Sequence, residues 1–144
     1  MKSTIAIAAV LATGLLGIMI WKTPETIIED VQSQDSNSAG AFLDVFEPEL
    51  SSNAQIGKQG YEIKCAACHG ANAAGQDGLA PPLVHIIYEP NHHGDEAFQR
   101  AAAIGVRAHH WPFGDMPPVE GVTRGDVTMI IAYIRELQRA NGIN

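Results

Sequence analysis

Cys65 and Cys68 are the only cysteines in the chain, and they stand in K-C-A-A-C-H-G with His69 following at once. Two thiols at this spacing can form a redox disulfide, supply half of a zinc site, or anchor a haem. Two cysteines cannot staple a disulfide scaffold, and a four-cysteine zinc site is excluded outright. A thioredoxin-like pair would follow a strand within an alternating strand–helix pattern, and no such pattern surrounds Cys65. On a helix, C-x-x-C-H holds two thiols and an imidazole at fixed relative positions. The thiols can form thioethers to two haem vinyl groups while His69 ligates the iron. One such motif implies one covalent haem c.

The other axial ligand must come from far along the chain. Met116 lies in G-D-M-P-P, a polar, proline-rich loop where a methionine is poorly explained as core filler. Met129 falls on a helix surface, where packing is its ordinary job, and Met19 lies in the apolar N-terminal run. Met116 is therefore the expected sixth ligand. A thioether paired with histidine raises the iron potential and blocks the position that oxygen or peroxide would use.

The approach to Met116 is unusually rich in histidine: A-H-H-W-P-F contains His109 and His110, and E-P-N-H-H-G-D upstream contains His92 and His93. Three accounts stay open. In the plainest, the histidines are solvated or hydrogen-bonding loop residues, with Trp111 and Phe113 walling a haem pocket. In the second, some of His92, His93, His109, His110 and Asp95 hold an accessory copper or zinc. In the third, His109 or His110 replaces Met116 on the iron and lowers its potential. His85, in L-V-H-I-I-Y, reads as a packing or hydrogen-bonding residue. Arg100 and Arg107 face either haem propionates or solvent.

These residues need helices to position them. A first helix is expected from Ser51 or Ser52 to about Cys65 or Cys68, with Gly57 and Tyr61 on one face and Gly57 leaving room for a close crossing. A last helix has Thr123 as cap, Asp126 in its first turn and Asn141-Gly142 as stop. Its stripe of Val127, Ile130, Ile131, Ile134 and Leu137 recurs at helical spacing, with Tyr133 at the edge. A third helix is expected from Asp95 to about Ile104, ended by Gly105. The glycine- and proline-rich stretch 70–94 is mainly loop, with a short helical turn between Pro82 and Ile87. Few segments alternate as strands do.

Residues 5–21 are uncharged and apolar, preceded by Lys2 and closed by Trp21-Lys22. That length is at the short end for a membrane span. A retained anchor and a cleaved signal both fit, and the lack of a small-x-small site favours the anchor. Either exports the remainder. The expected organisation is an anchor or signal at 1–22, an acidic flexible tether at 23–50, and a folded domain at 51–144. Within the tether, Phe42, Leu43, Val45 and Phe46 could dock on the domain or on a partner. The net charge of −7 argues against nucleic-acid binding and favours positively charged partners.

G-K-Q-G-Y-E-I-K-C-A-A-C-H-G, G-L-A-P-P-L, I-G-V-R-A-H-H-W-P-F-G-D-M-P-P and V-T-M-I-I-A-Y-I-R-E-L together resemble the class I cytochromes c over residues 52–141. The resemblance implies an all-α fold around one covalent haem, with Cys65, Cys68, His69 and Met116 as functional residues. It also implies that a proline carbonyl, from Pro81 or Pro82, accepts the Nδ1 proton of His69. The implied function is single-electron transfer between respiratory or periplasmic partners, such as a membrane complex or terminal oxidase. With the N-terminal helix, the haem domain would sit on the periplasmic side of a bacterial inner membrane. The alternative is a haem subunit or enzyme with an open iron position, or with a histidine-bound copper, acting on a small oxidant or metal ion.

Overall fold

The computed structural model describes residues 41–144. The expected anchor or signal and most of the expected tether, residues 1–40, lie outside the described residues. No helix among the described residues is long and apolar enough to cross a membrane.

Four helices form the domain: α1 (Ser52–Lys64), α2 (Ala66–His69), α3 (Asp95–Ile104) and α4 (Arg124–Ala140), with 3-10 turns at Ala71–Ala73 and Ile86–Tyr88. Extended pairing among the described residues is limited to isolated bridges, Ala41 with Gln76, Gln76 with Ala80, and Val106 with Met116. The fold is all-α.

Ser51 is the cap of α1, its hydroxyl accepting from the Ala54 N–H. The same residue ties α1 to α4, because its backbone N–H and its hydroxyl both donate to the Glu136 carboxylate, at 3.0 and 2.7 Å. The two helices then cross closely. A Cβ at Gly57 would overlap the Met129 carbonyl oxygen, so only glycine fits that point of the crossing. Around it Ala54, Tyr61, Ile130, Tyr133, Ile134 and Leu137 form the core. Each fully buried aliphatic side chain there contributes about 2 kcal/mol of transfer free energy.

α1 does not run unbroken through the cysteines. Cys65 leaves the helical region at φ −122°, and α2 resumes at Ala66. α4 begins with a full capping box: Thr123 Oγ1 accepts from the Asp126 N–H, and the Asp126 carboxylate accepts from the Thr123 N–H. Those hydrogen bonds hold the Asp126 carboxyl below its ordinary range. The helix ends at Asn141, as the sequence implies. Tyr133 is not at the edge of the stripe but fully buried. Its ring packs at 5.5 Å from that of Tyr61, and its hydroxyl donates to Asn72 Oδ1 at 3.2 Å.

The described end of the expected tether is not free chain. The Phe42 and Leu43 N–H groups donate to the Gly75 and Ala74 carbonyls. Asn141 exchanges two hydrogen bonds with the Phe46 backbone, and Glu47 pairs with Lys58 at 2.6 Å. Val45 and Leu50 pack on the core. Residues 41–50 thus belong to the domain, because long-range hydrogen bonds and apolar contacts hold them where local periodicity is absent.

Candidate functional site

Cys65, Cys68, His69 and Met116 line one cavity of about 350 Å³. Its inner wall is aliphatic, from Val127, Ile130, Ile131 and Ile134 of α4, with Ala97, Phe98 and Ala101 from α3. The helices therefore place the motif of one segment and the loop of another around the same apolar space.

On the first side, His69 is buried, with 8 % of its surface exposed. Its Nδ1 lies 2.9 Å from the Pro81 carbonyl oxygen. With Nδ1–H donating there, Nε2 is left as the free lone pair, and the ring is held in one orientation. The carbonyl is that of Pro81; Pro82 is fully buried behind it. Burial, opposed by the Pro81 bond, lowers the His69 pKa and keeps the imidazole neutral, the form in which it can ligate a metal. The loop behind it is braced by the Gly75 N–H donating to the His69 carbonyl at 2.7 Å. The buried Tyr61 hydroxyl donates to the Gly70 carbonyl at 2.8 Å, and burial raises its pKa so that the donor is retained. Gln76 Nε2 donates to the Ala66 and Ala67 carbonyls of α2. The sequence offers no cue to that role of Gln76.

Cys65 is half-buried and Cys68 exposed, and the two are not joined in a disulfide. Burial, then the neighbouring Cys68, pushes the Cys65 thiol up to about 11. Redox-active and zinc-binding cysteines instead have thiols whose pKa is lowered. The environment of Cys65 therefore lacks the positive charge that activates a redox-active thiol.

On the second side, Met116 is half-buried and its backbone exchanges two hydrogen bonds of 2.9 Å with Val106. Gly105, at φ +77°, allows this approach: a Cβ there would overlap the Met116 carbonyl oxygen. The Asp115 carboxylate accepts from the Ala108 N–H at 2.8 Å and closes the intervening loop. Trp111 and Phe113 both line the cavity, with stacked rings 5.9 Å apart. Phe42, from the N-terminal strap, meets them edge-on at 5.6 and 6.1 Å. Met129 does not line the cavity. Arg100 and Arg107 are exposed and do not line it either. His85 accepts from the Ile87 N–H and packs 5.1 Å from the Trp111 ring.

A covalent haem fits this cavity on two counts. It is apolar and bordered by two free thiols and one oriented imidazole. The Trp111 Nε1–H is also buried without a well-formed hydrogen bond among the described residues, the Tyr88 hydroxyl being only a weak neighbour. Such a donor costs about 1–3 kcal/mol unless something accepts from it, and a carboxylate-bearing cofactor supplies acceptors.

The cytochrome c family model matches residues 54–138. The chain belongs to the cytochrome c family. No curated protein gives a significant match to it. The matched segment begins in α1 and ends in α4, so it spans both sides of the cavity. Membership makes haem c the covalent cofactor and electron transfer the general function, in a family whose members typically act as non-catalytic carriers outside the cytoplasm.

The sequence left open whether the two histidine pairs meet. They do. His92 and His93 lie 4.7 Å apart, His92 and His110 5.4 Å, His93 and His110 5.2 Å, and His109 and His110 4.3 Å, between ring centres. The pKa of His110 is lowered, by desolvation first and then by the other three imidazoles. The buried Arg135 sets one of the two loops. Its guanidinium donates to the Tyr88 and His93 carbonyls at 2.6 Å and to Asp95 at 2.9 Å. An arginine beside the apolar stripe of α4 is the one sequence signal that could have pointed to it.

Proposed function

We propose that this cytochrome c carries single electrons by outer-sphere transfer through a haem bound by Cys65 and Cys68 and ligated by His69 and Met116. The observation that carries the reading is the convergence of these four side chains on one apolar cavity, with His69 Nδ1 committed to Pro81. The haem supplies a one-electron couple when bound. Pro81 orients His69 and strengthens its Nε2 as a donor. The Val106–Met116 pairing holds the thioether of the second ligand at the cavity. Ile130, Ile131 and Ile134 exclude water from the buried side, which favours the less charged oxidation state. With both axial positions taken by protein groups, no substrate needs to bind, and a partner needs only to approach the edge beside the exposed Cys68.

The charge-free run at residues 5–21 supports a membrane anchor, with Lys2 on the inner side and the domain outside. Tethering would raise the local concentration near membrane partners such as a respiratory complex or terminal oxidase.

The test is the ferric near-infrared spectrum and the potential of the holoprotein. Methionine ligation gives a charge-transfer band that Met116→Ala abolishes. The substitution also lowers the potential by on the order of 0.1–0.3 V, within the roughly 0.8 V span that axial ligands cover. A wild-type protein without the band that also binds cyanide rapidly overturns the carrier reading in favour of an open iron.

A further inference from the structure

We propose that His92, His93 and His110 form a binding site for a late first-row transition-metal dication, copper(II) or zinc(II), outside the haem ligand set. One ligand nitrogen from each residue lies within 4.8 Å of the others. Three nitrogens bound at about 2.0–2.1 Å around a tetrahedral ion sit roughly 3.3 Å apart. His92 and His110 are exposed, so rotation of their rings can close that gap without moving the backbone.

The backbone is already set. His92 and His93 sit on a turn whose N–H groups both donate to the Glu89 carbonyl, at 3.1 and 2.8 Å. Arg135 clamps the His93 carbonyl from below. His93 Nδ1 lies 2.6 Å from the Ile87 carbonyl oxygen. Donation there fixes the tautomer and leaves Nε2 for a metal, the outer-shell arrangement typical of metal-bound histidine. His110 arrives from the second loop, which is pinned by the Val106–Met116 pairing and by Ala108 to Asp115. Two independently fixed loops therefore bring imidazoles together.

The chemistry of the set selects the ion. Three neutral imidazoles suit copper and zinc over magnesium or calcium, which prefer oxygen. Among the described residues no hydrogen bond joins any two of His92, His93, His109 and His110; His93 and His109 bond instead to backbone carbonyls. A shared cation would give these crowded rings a common partner. His109 falls outside the three-residue set, which leaves a fourth coordination position for water.

The test uses full-length, chelator-washed holoprotein titrated calorimetrically with copper(II) chloride and, separately, zinc(II) chloride. One equivalent of either ion should bind, copper more tightly than zinc, and copper should show nitrogen hyperfine structure by electron paramagnetic resonance. His92→Ala and His110→Ala should each weaken binding at least about 100-fold, and His109→Ala by no more than about tenfold. His92 does not line the haem cavity, so His92→Ala should keep the haem spectrum and melting temperature of the parent. Binding of neither ion, retention of affinity in both His92→Ala and His110→Ala, or an equal loss in His109→Ala overturns the assignment. His93 and His110 also line the haem cavity, so the near-infrared band of the metal-free holoprotein is recorded alongside, and a failure of Met116 ligation is thereby distinguished from a failure of metal binding.

Discussion

The two sides of the cavity are built differently. The His69 side is backed by the α1–α4 crossing, and its carbonyls and ring nitrogen are bonded to Gly75, Tyr61, Gln76 and Pro81. The Met116 side is a surface loop whose residues 107–110 are all exposed. It is held mainly by one backbone pairing and one carboxylate. One side is inseparable from the core, while the other can change without unfolding it. Damage to the first should therefore appear as lost global stability, and damage to the second as altered ligation in a folded domain.

The strongest test of this contrast is Gly57→Ala, which forces α1 away from the Met129 carbonyl. Overpacking of this kind costs about 3 kcal/mol, well beyond the roughly 1 kcal/mol that alanine gains as a helix former. Denaturant unfolding of the holoprotein should report that net loss. Tyr61→Phe leaves the Gly70 carbonyl without its buried donor and should cost about 1–2 kcal/mol by the same measurement. On the other side, Asp115→Ala should lower the unfolding free energy by no more than about 1 kcal/mol, the smallest loss of the three. It should instead speed the binding of added imidazole to the ferric protein about fivefold, equivalent to about 1 kcal/mol of loop opening. An Asp115→Ala protein that is globally destabilised but binds imidazole no faster would erase the distinction. The smallest effect is at the start of α4. The folded pKa of Asp126 lies below its unfolded value, so its contribution is complete at neutral pH and is lost as pH falls through that lowered value. Asp126→Asn should flatten the acid limb of the stability profile, followed by thermal melts between neutral and acid pH.

The elements that local chemistry defines were legible in advance. Asp95 and Gly105 bound α3, and Thr123, Asp126 and Asn141 bound α4, because caps and stops act within a few residues of themselves. The cysteine–histidine motif was legible for the same reason, since its meaning lies in its spacing. What the sequence hid depends on partners far along the chain. An end of α1 at Cys65 is one of the two the sequence allows, but the restart as α2 at Ala66 carries no proline or glycine to announce it. The attachment of residues 41–50 rests on Asn141, Gly75 and Lys58. The meeting of His92 and His93 with His110 needs Arg135, from a third segment, to hold one loop in place.

Phe42 and Leu43 join the two sides of the cavity. Their amides are bonded to the Ala74–Gly75 turn behind His69, while the Phe42 ring rests on Trp111 and Phe113 of the methionine loop. Helix periodicity alone would place the start of the domain at Ser51, and a protein trimmed there would lose a seam that spans both halves. The segment that leads into the domain is thus also its latch, and tension on the lead-in chain would be felt first at the two walls of the cavity.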